Sequence, residues 1–195
     1  MKKIISGLSL FLILSVIANN VYAGVIKGTV SASRLKSPKD ILVHIERVEG
    51  KEFSVPKEPA KMDQISLVFV PRVLPILLGT TVAFYNADDL KHNVFGVGDY
   101  DFDLGTWGKG RVVPYTFDKL GEVAILCNVH PEMEAYIIVL QNPYFALTDE
   151  AGNYKIKNVP SGTYKIKTWH DRLKSVKKEV TSSTGEIIVD FNLKR

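Results

Sequence analysis

Only one of the 195 residues is cysteine, Cys127, so no disulfide can form within the chain. Histidine is scarce too, at four residues, and the three methionines form no tract. Charge of one sign is not in excess: 25 Lys and Arg stand against 21 Asp and Glu, for a formal +4. That balance leaves no footprint for nucleic acid. Past the first two dozen residues no apolar run is long enough to cross a bilayer. The nearest candidate, Val70 to Leu78, is short and broken by Pro71 and Pro75. Sustained apolar spacing of the helical kind is also missing, which removes helical bundles and coiled coils from consideration.

The N-terminus holds the one strong apolar run. Lys2 and Lys3 precede an apolar stretch from Leu8 to Ile17, and Val21-Tyr22-Ala23 fits the small-x-small rule for cleavage after Ala23. This is the pattern of an export signal over residues 1–23, and it places the mature chain in the periplasm. No membrane span is expected after cleavage. In an oxidising compartment a lone cysteine requires an explanation other than a disulfide.

Two-residue alternation dominates the remainder. Ile41, Val43 and Ile45 alternate with Leu42, His44 and Glu46. Tyr154-Lys155-Ile156-Lys157 and Tyr164-Lys165-Ile166-Lys167 are near copies, separated by the turn residues Asn158-Val159-Pro160-Ser161-Gly162-Thr163. Ile187, Val189, Phe191 and Leu193 alternate to the end. The reading is all-β. Val48 to Asp63, with Pro56 and Pro59, reads as a linker.

The cysteine lies in Cys127-Asn128-Val129-His130-Pro131-Glu132-Met133, where thiol, imidazole and thioether recur every third residue. A second imidazole lies upstream in Asp88-Asp89-Leu90-Lys91-His92-Asn93-Val94-Phe95. One Cys, two His and one Met match a mononuclear blue-copper ligand set, a trigonal His₂Cys plane with a weak axial Met. Thiolate and thioether favour copper, whereas zinc rarely uses Met. The expected ligands are His92, Cys127, His130 and Met133 for one type 1 copper per chain.

Residues from about 62 to 141 resemble a cupredoxin of the plastocyanin and amicyanin type, the amicyanins being methylamine-utilisation proteins. The resemblance rests on Phe69-Val70-Pro71, on Gly79-Thr80-Thr81-Val82-Ala83-Phe84-Tyr85-Asn86, on His92-Asn93, and on the short loop from Cys127 to Met133. It implies a Greek-key β-sandwich. It also implies that Asn93 ties the two ligand loops together and donates a backbone hydrogen bond to the cysteine sulfur. Pro131 has no N–H to give that sulfur.

The flanks resemble a carboxypeptidase-regulatory-like β-sandwich, of the transthyretin or Ig-like kind. Gly24-Val25-Ile26-Lys27-Gly28-Thr29-Val30 followed by Ile41 to Ile45 resembles its opening. Thr148 to Tyr154 and Val159 to Tyr164 resemble its second half. The expected organisation is a signal over 1–23, sandwich strands over 24–57, a cupredoxin over 58–141 inserted in one loop, and the rest of the sandwich over 142–195. A tandem arrangement, an extended cupredoxin followed by a separate small sandwich, is the rival.

The expected function is one-electron transfer between redox partners such as a cytochrome or a dehydrogenase. Copper trafficking without electron transfer is the alternative. An enzyme is not expected, because a multicopper oxidase or nitrite reductase needs more histidines than the four here. Docking is expected at an apolar rim of Phe95, Val97 and Pro131. His44 and His170 read as surface histidines. Trp107, in Gly105-Thr106-Trp107-Gly108, reads either as a shield for the metal or as a loop anchor.

Overall fold

The computed structural model describes residues 23–33 and 35–194. The expected export signal lies outside the described residues, apart from Ala23. Seventeen strands and no helix make up the described chain. In order they are β1 (Ala23–Ser31), β2 (Leu42–Ile45), β3 (Ala60–Ile65), β4 (Val68–Val70), β5 (Val73–Leu77), β6 (Thr81–Phe84), β7 (His92–Gly98), β8 (Phe102–Trp107), β9 (Val113–Thr116), β10 (Gly121–Leu126), β11 (Glu134–Leu140), β12 (Phe145–Leu147), β13 (Asn153–Pro160), β14 (Gly162–Trp169), β15 (Lys177–Ser182), β16 (Gly185–Ile188) and β17 (Phe191–Asn192). No helix among the described residues is long and apolar enough to cross a membrane.

Pairing divides the strands into two groups. β1 pairs with β13, β16 and β17, and β2 pairs with β12 and β14, which carries β15 at its edge. Strands β3 to β11 pair among themselves, in sheets ordered β5-β11-β10-β7-β8 and β4-β3-β6-β9. The alternation explains the cores. On β13, Tyr154 and Ile156 point inward while Lys155 and Lys157 stay in water. Ile26, Val43, Ile45, Ile166 and Phe191 join them in one buried cluster. Met62, Phe84, Phe117, Ile125, Met133 and Ile137 belong to another.

A third apolar layer joins the two groups back to back. Leu42 and Trp169 from one meet Val73, Ile138 and Leu140 from the other. The Trp169 ring meets Tyr136 edge-on at 5.2 Å between centroids, and its indole N–H donates to Glu122. This layer corrects the expectation for His44. It lies on the outward face of β2, which the other sandwich covers, so it is only 6 % exposed. Burial pushes its pKa down to about 4. The glycine-rich stretch around Trp107 is likewise the end of strand β8 rather than a loop.

Two strand polarities set one end of the molecule. β10 ends at Leu126 and β11 starts at Glu134, while β5 runs parallel to β11 and β7 starts at His92. The start of β5, the start of β7 and the loop from Cys127 to Met133 therefore share one end.

Candidate metal centre

Hydrogen-bonded strands bring the two distant sequence stretches together. β7 and β10 are antiparallel neighbours, with Leu126 opposite Phe95, so the residue after β10 comes beside the first residues of β7. One ligand atom each from His92, Cys127 and His130 fall within 4.8 Å of one another. The two Nδ1 atoms of His92 and His130 are 2.9 Å apart, and their rings meet edge-on at 4.7 Å between centroids. His92 is fully buried, Cys127 is buried, and His130 is half-buried. Met133 is fully buried in the same core cluster as Cys127, and its backbone N–H donates to the His130 carbonyl at 3.0 Å, closing the loop.

Asn93 fastens the site. Its backbone N–H points at Cys127 Sγ at 3.4 Å, and its side-chain oxygen accepts the Asn128 N–H at 3.3 Å. Its amide nitrogen donates to Asp103 Oδ1 at 2.7 Å and to the Gly105 carbonyl at 3.0 Å. One side chain thus joins β7, β8 and the ligand loop.

Sequence reasoning left Asp88 without a role, although it stands four residues before His92. Asp88 Oδ2 is 2.9 Å from His92 Nε2, so the ring donates there and keeps its Nδ1 lone pair towards His130. Asp88 also accepts the backbone N–H groups of Ser66 at 2.6 Å and Leu67 at 3.0 Å. These two residues form the tight turn between β3 and β4 with φ of 55° and 63°, a region that non-glycine residues seldom occupy. Burial alone would raise the Asp88 pKa, but these donors outweigh it and hold the carboxyl below its usual range. Asn86 caps the segment, accepting the Asp88 N–H and donating to the Leu90 and Trp107 carbonyls. Trp107 is buried opposite His92 in the β7–β8 pair, and its indole N–H has no protein partner among the described residues.

The donor set fits a copper ion. Two imidazole nitrogens 2.9 Å apart are close enough to share one ion. A buried thiol lies within reach of both. Asp88 occupies the far nitrogen of His92, which leaves Nδ1 of that ring to face the donor cluster.

The expected rim residues do not all lie beside these donors. Pro131 is exposed next to His130. Phe95 is half-buried on β7. Val97 is 44 % exposed but stands opposite Ala124, five residues and about 16 Å along the strand from His92. Leu90 and Val129, 51 % and 47 % exposed, lie closer in sequence to the ligands. His170, expected at the surface, has its side chain only 6 % exposed beside Asp171, and its pKa is lowered chiefly by burial.

No protein-family model matches the sequence, and no curated protein matches it. Solved structures similar to it include a copper-containing nitrite reductase from Thermus scotoductus SA-01, at 30% identity over 50% of this chain and 25% of that one, with a TM-score of 0.42. A purple cupredoxin from Nitrosopumilus maritimus is 22% identical over 41% of this chain and 98% of that one, with a TM-score of 0.39. A reduced amicyanin variant is 22% identical over 50% of this chain and 97% of its own length, with a TM-score of 0.40. The chain spans about a quarter of the nitrite reductase's length.

Proposed function

We propose that this chain is a periplasmic type 1 copper protein that passes single electrons between redox proteins, with one copper held by His92, Cys127, His130 and Met133. The observation that carries this reading is the convergence of one thiol and two imidazoles within 4.8 Å in a largely buried site. Copper bound there supplies a reversible one-electron couple.

The chain's own residues do the remainder. Asp88 and Asn93 hold His92 and Cys127 in place from outside the ligand set, so the donors need not move when the charge at the centre changes. His92, Cys127 and Met133 are shut away from water, which leaves the half-buried His130 as the ligand nearest solvent. Pro131 beside it cannot donate to the sulfur and presents an apolar surface. Pro131 and Val129, exposed on either side of His130, offer a small apolar surface that suits a transient encounter that must release quickly. Four protein donors leave no open position for a substrate, which argues against an enzyme.

The organisation we favour is a cupredoxin over 58–141 inserted into a carboxypeptidase-regulatory-like sandwich built from 24–57 and 142–195. It is supported by the pairing of β1 and β2 with strands that follow residue 142. Export rests on the composition of residues 1–23, and cell fractionation checks it.

The visible spectrum of the mature protein after addition of Cu(II) tests the function. An intense thiolate-to-copper band, one copper per chain and bleaching on reduction are expected. A colourless protein loaded stoichiometrically with zinc would overturn the assignment.

A further inference from the structure

Charge is not spread evenly over this chain. Residues 24–57 and 142–195 carry 17 Lys and Arg against 10 Asp and Glu, a balance of +7. Residues 58–141 carry 6 against 11, a balance of −5. A cleft of about 460 Å³ opens where the two halves meet, and Lys36, Lys39, Arg72, His170 and Arg172 line it, with Asp40 the acidic residue among them.

We propose that this cleft is a docking site for an acidic patch on the redox partner protein, which it brings to the ligand-loop end of the molecule. The proposal rests on the electron-transfer reading above and gives the second sandwich a task within it.

Placement favours it. Arg72 immediately precedes β5, and its carbonyl accepts the Tyr136 N–H, so the cleft lies at the end where β11 leaves the ligand loop. Arg72 Nη2 reaches Glu134, the residue after Met133, at 3.4 Å. β5 and β10 are two strand spacings apart, so Arg72 stands about 10 Å across the sheet from the strand that leads to Cys127.

The cleft is also built. Asp171, whose side chain is 5 % exposed, accepts from Arg72 at 2.7 Å and holds Arg172 Nε at 3.4 Å, so one buried carboxylate orients two guanidinium groups. His170 Nδ1 lies 3.0 Å from the Arg172 backbone nitrogen and 3.1 Å from Asp171 Oδ1, so the ring is part of the same cluster. Lys36 is exposed and makes no ion pair among the described residues. Arg72 is held by Asp171 through both Nη atoms and by Glu134, and Lys39 pairs with Glu150, so the exposed Lys36 and Arg172, the latter engaged through Nε, are the cations placed to meet an incoming carboxylate.

Polarity of the whole molecule adds orientation. An acidic surface is repelled by the −5 half and drawn to the +7 half, so it arrives at the boundary turned towards the cleft. A concave site between two sandwiches admits a protruding carboxylate-bearing segment of a protein and excludes a flat bilayer.

The test uses the full mature chain, ¹⁵N-labelled, titrated with a decaglutamate peptide in both metal-free and copper-loaded forms. Amide shifts centred on residues 36–40, 72 and 170–172 are expected in both. The exposed substitutions Lys36→Glu and Arg172→Glu together should weaken binding about tenfold, as should raising salt. Shifts centred on Lys155, Lys165 or Lys177, or no shifts, would overturn the proposal. So would saturation by inorganic phosphate that decaglutamate cannot displace, since the site would then be one for a small oxyanion. Binding is read without copper, so a failure of the copper assignment is seen separately in the visible spectrum. In the copper-loaded protein, oxidation by hexacyanoferrate(III) should slow about tenfold in the double variant while oxidation by tris(phenanthroline)cobalt(III) does not. Equal slowing of both would also overturn it.

Discussion

Asp88 Oδ2 lies 2.9 Å from His92 Nε2, on the side of the ring away from the nitrogen that faces His130. A carboxylate there fixes the ring's tautomer and makes the coordinating nitrogen more basic. The same carboxylate secures the turn at Ser66 and Leu67. Positions that determine the ligand geometry thus lie on five segments: the β3–β4 turn, the stretch before β7, β7 itself, β8 and the ligand loop.

Replacing this carboxylate by its neutral isostere isolates the charge. Asp88→Asn should bind copper about 10–100-fold more weakly and raise the reduction potential, because a negative charge that favours Cu(II) is lost. Competition with a chelator and a voltammetric titration measure the two effects. Unchanged affinity and potential would mean that the contact only supports the β3–β4 turn, a role visible instead as a lowered unfolding temperature.

Cys127→Ser is nearly isosteric and removes the thiolate. The protein should keep its fold by circular dichroism and lose all charge-transfer colour. Cys127 is 3 % exposed and touches core residues, so a buried hydroxyl should cost only about 1–3 kcal/mol. Met133→Leu should retain copper and colour with a raised potential, as loss of a weak axial donor requires. Loss of copper in the Met133 variant would make it a primary ligand or a packing residue, consistent with its complete burial.

The strands were legible because alternation is a local property: Tyr154 and Ile156 against Lys155 and Lys157 specify their faces wherever β13 pairs. The grouping of Cys127, His130 and Met133 was legible for the same reason, since six residues of spacing confine them to one loop. His44 was not. Its own strand alternates as a half-exposed strand should, and only the packing of a second sandwich against that face buries it. Asp88 was hidden differently, because its function depends on a turn more than 20 residues upstream. The charge division was present in the sequence, yet the near-neutral total conceals it unless the flanks and the middle block are summed separately.

The layer between the sandwiches should be a stability element in its own right. Trp169 packs edge-on against Tyr136, donates to Glu122 and is 9 % exposed. Trp169→Ala should cost about 3 kcal/mol or more, and should convert a single unfolding transition into two as the halves uncouple. Scanning calorimetry of the metal-free protein distinguishes one transition from two. A single transition at an unchanged midpoint would show that Leu42, Val73, Ile138 and Leu140 suffice to hold the layer.

His44 should make that same layer sensitive to acid. Burial is the chief reason its pKa falls to about 4, with Lys167 and Lys177 adding to the effect and Glu46 and the Ile45 carbonyl opposing it; Asp99 and Glu122 line the same crevice. The ordinary value is about 6.5. Above pH 6.5 neither the folded nor the unfolded chain holds the proton, so His44 contributes no pH dependence. Between pH 6.5 and 4 the unfolded chain takes the proton and the folded chain refuses it, so stability falls as pH falls. Below about pH 4 both forms are protonated and the loss levels off, at about 3 kcal/mol in total. Urea unfolding of the metal-free wild type and of His44→Gln, at intervals from pH 7 to pH 4, isolates this contribution by difference and cancels the other titrating groups. The wild type should lose more stability than the variant over that range, with most of the divergence between pH 6 and pH 4. Parallel profiles would mean that the crevice admits enough water to keep His44 at its ordinary pKa, and that the layer opens at that edge.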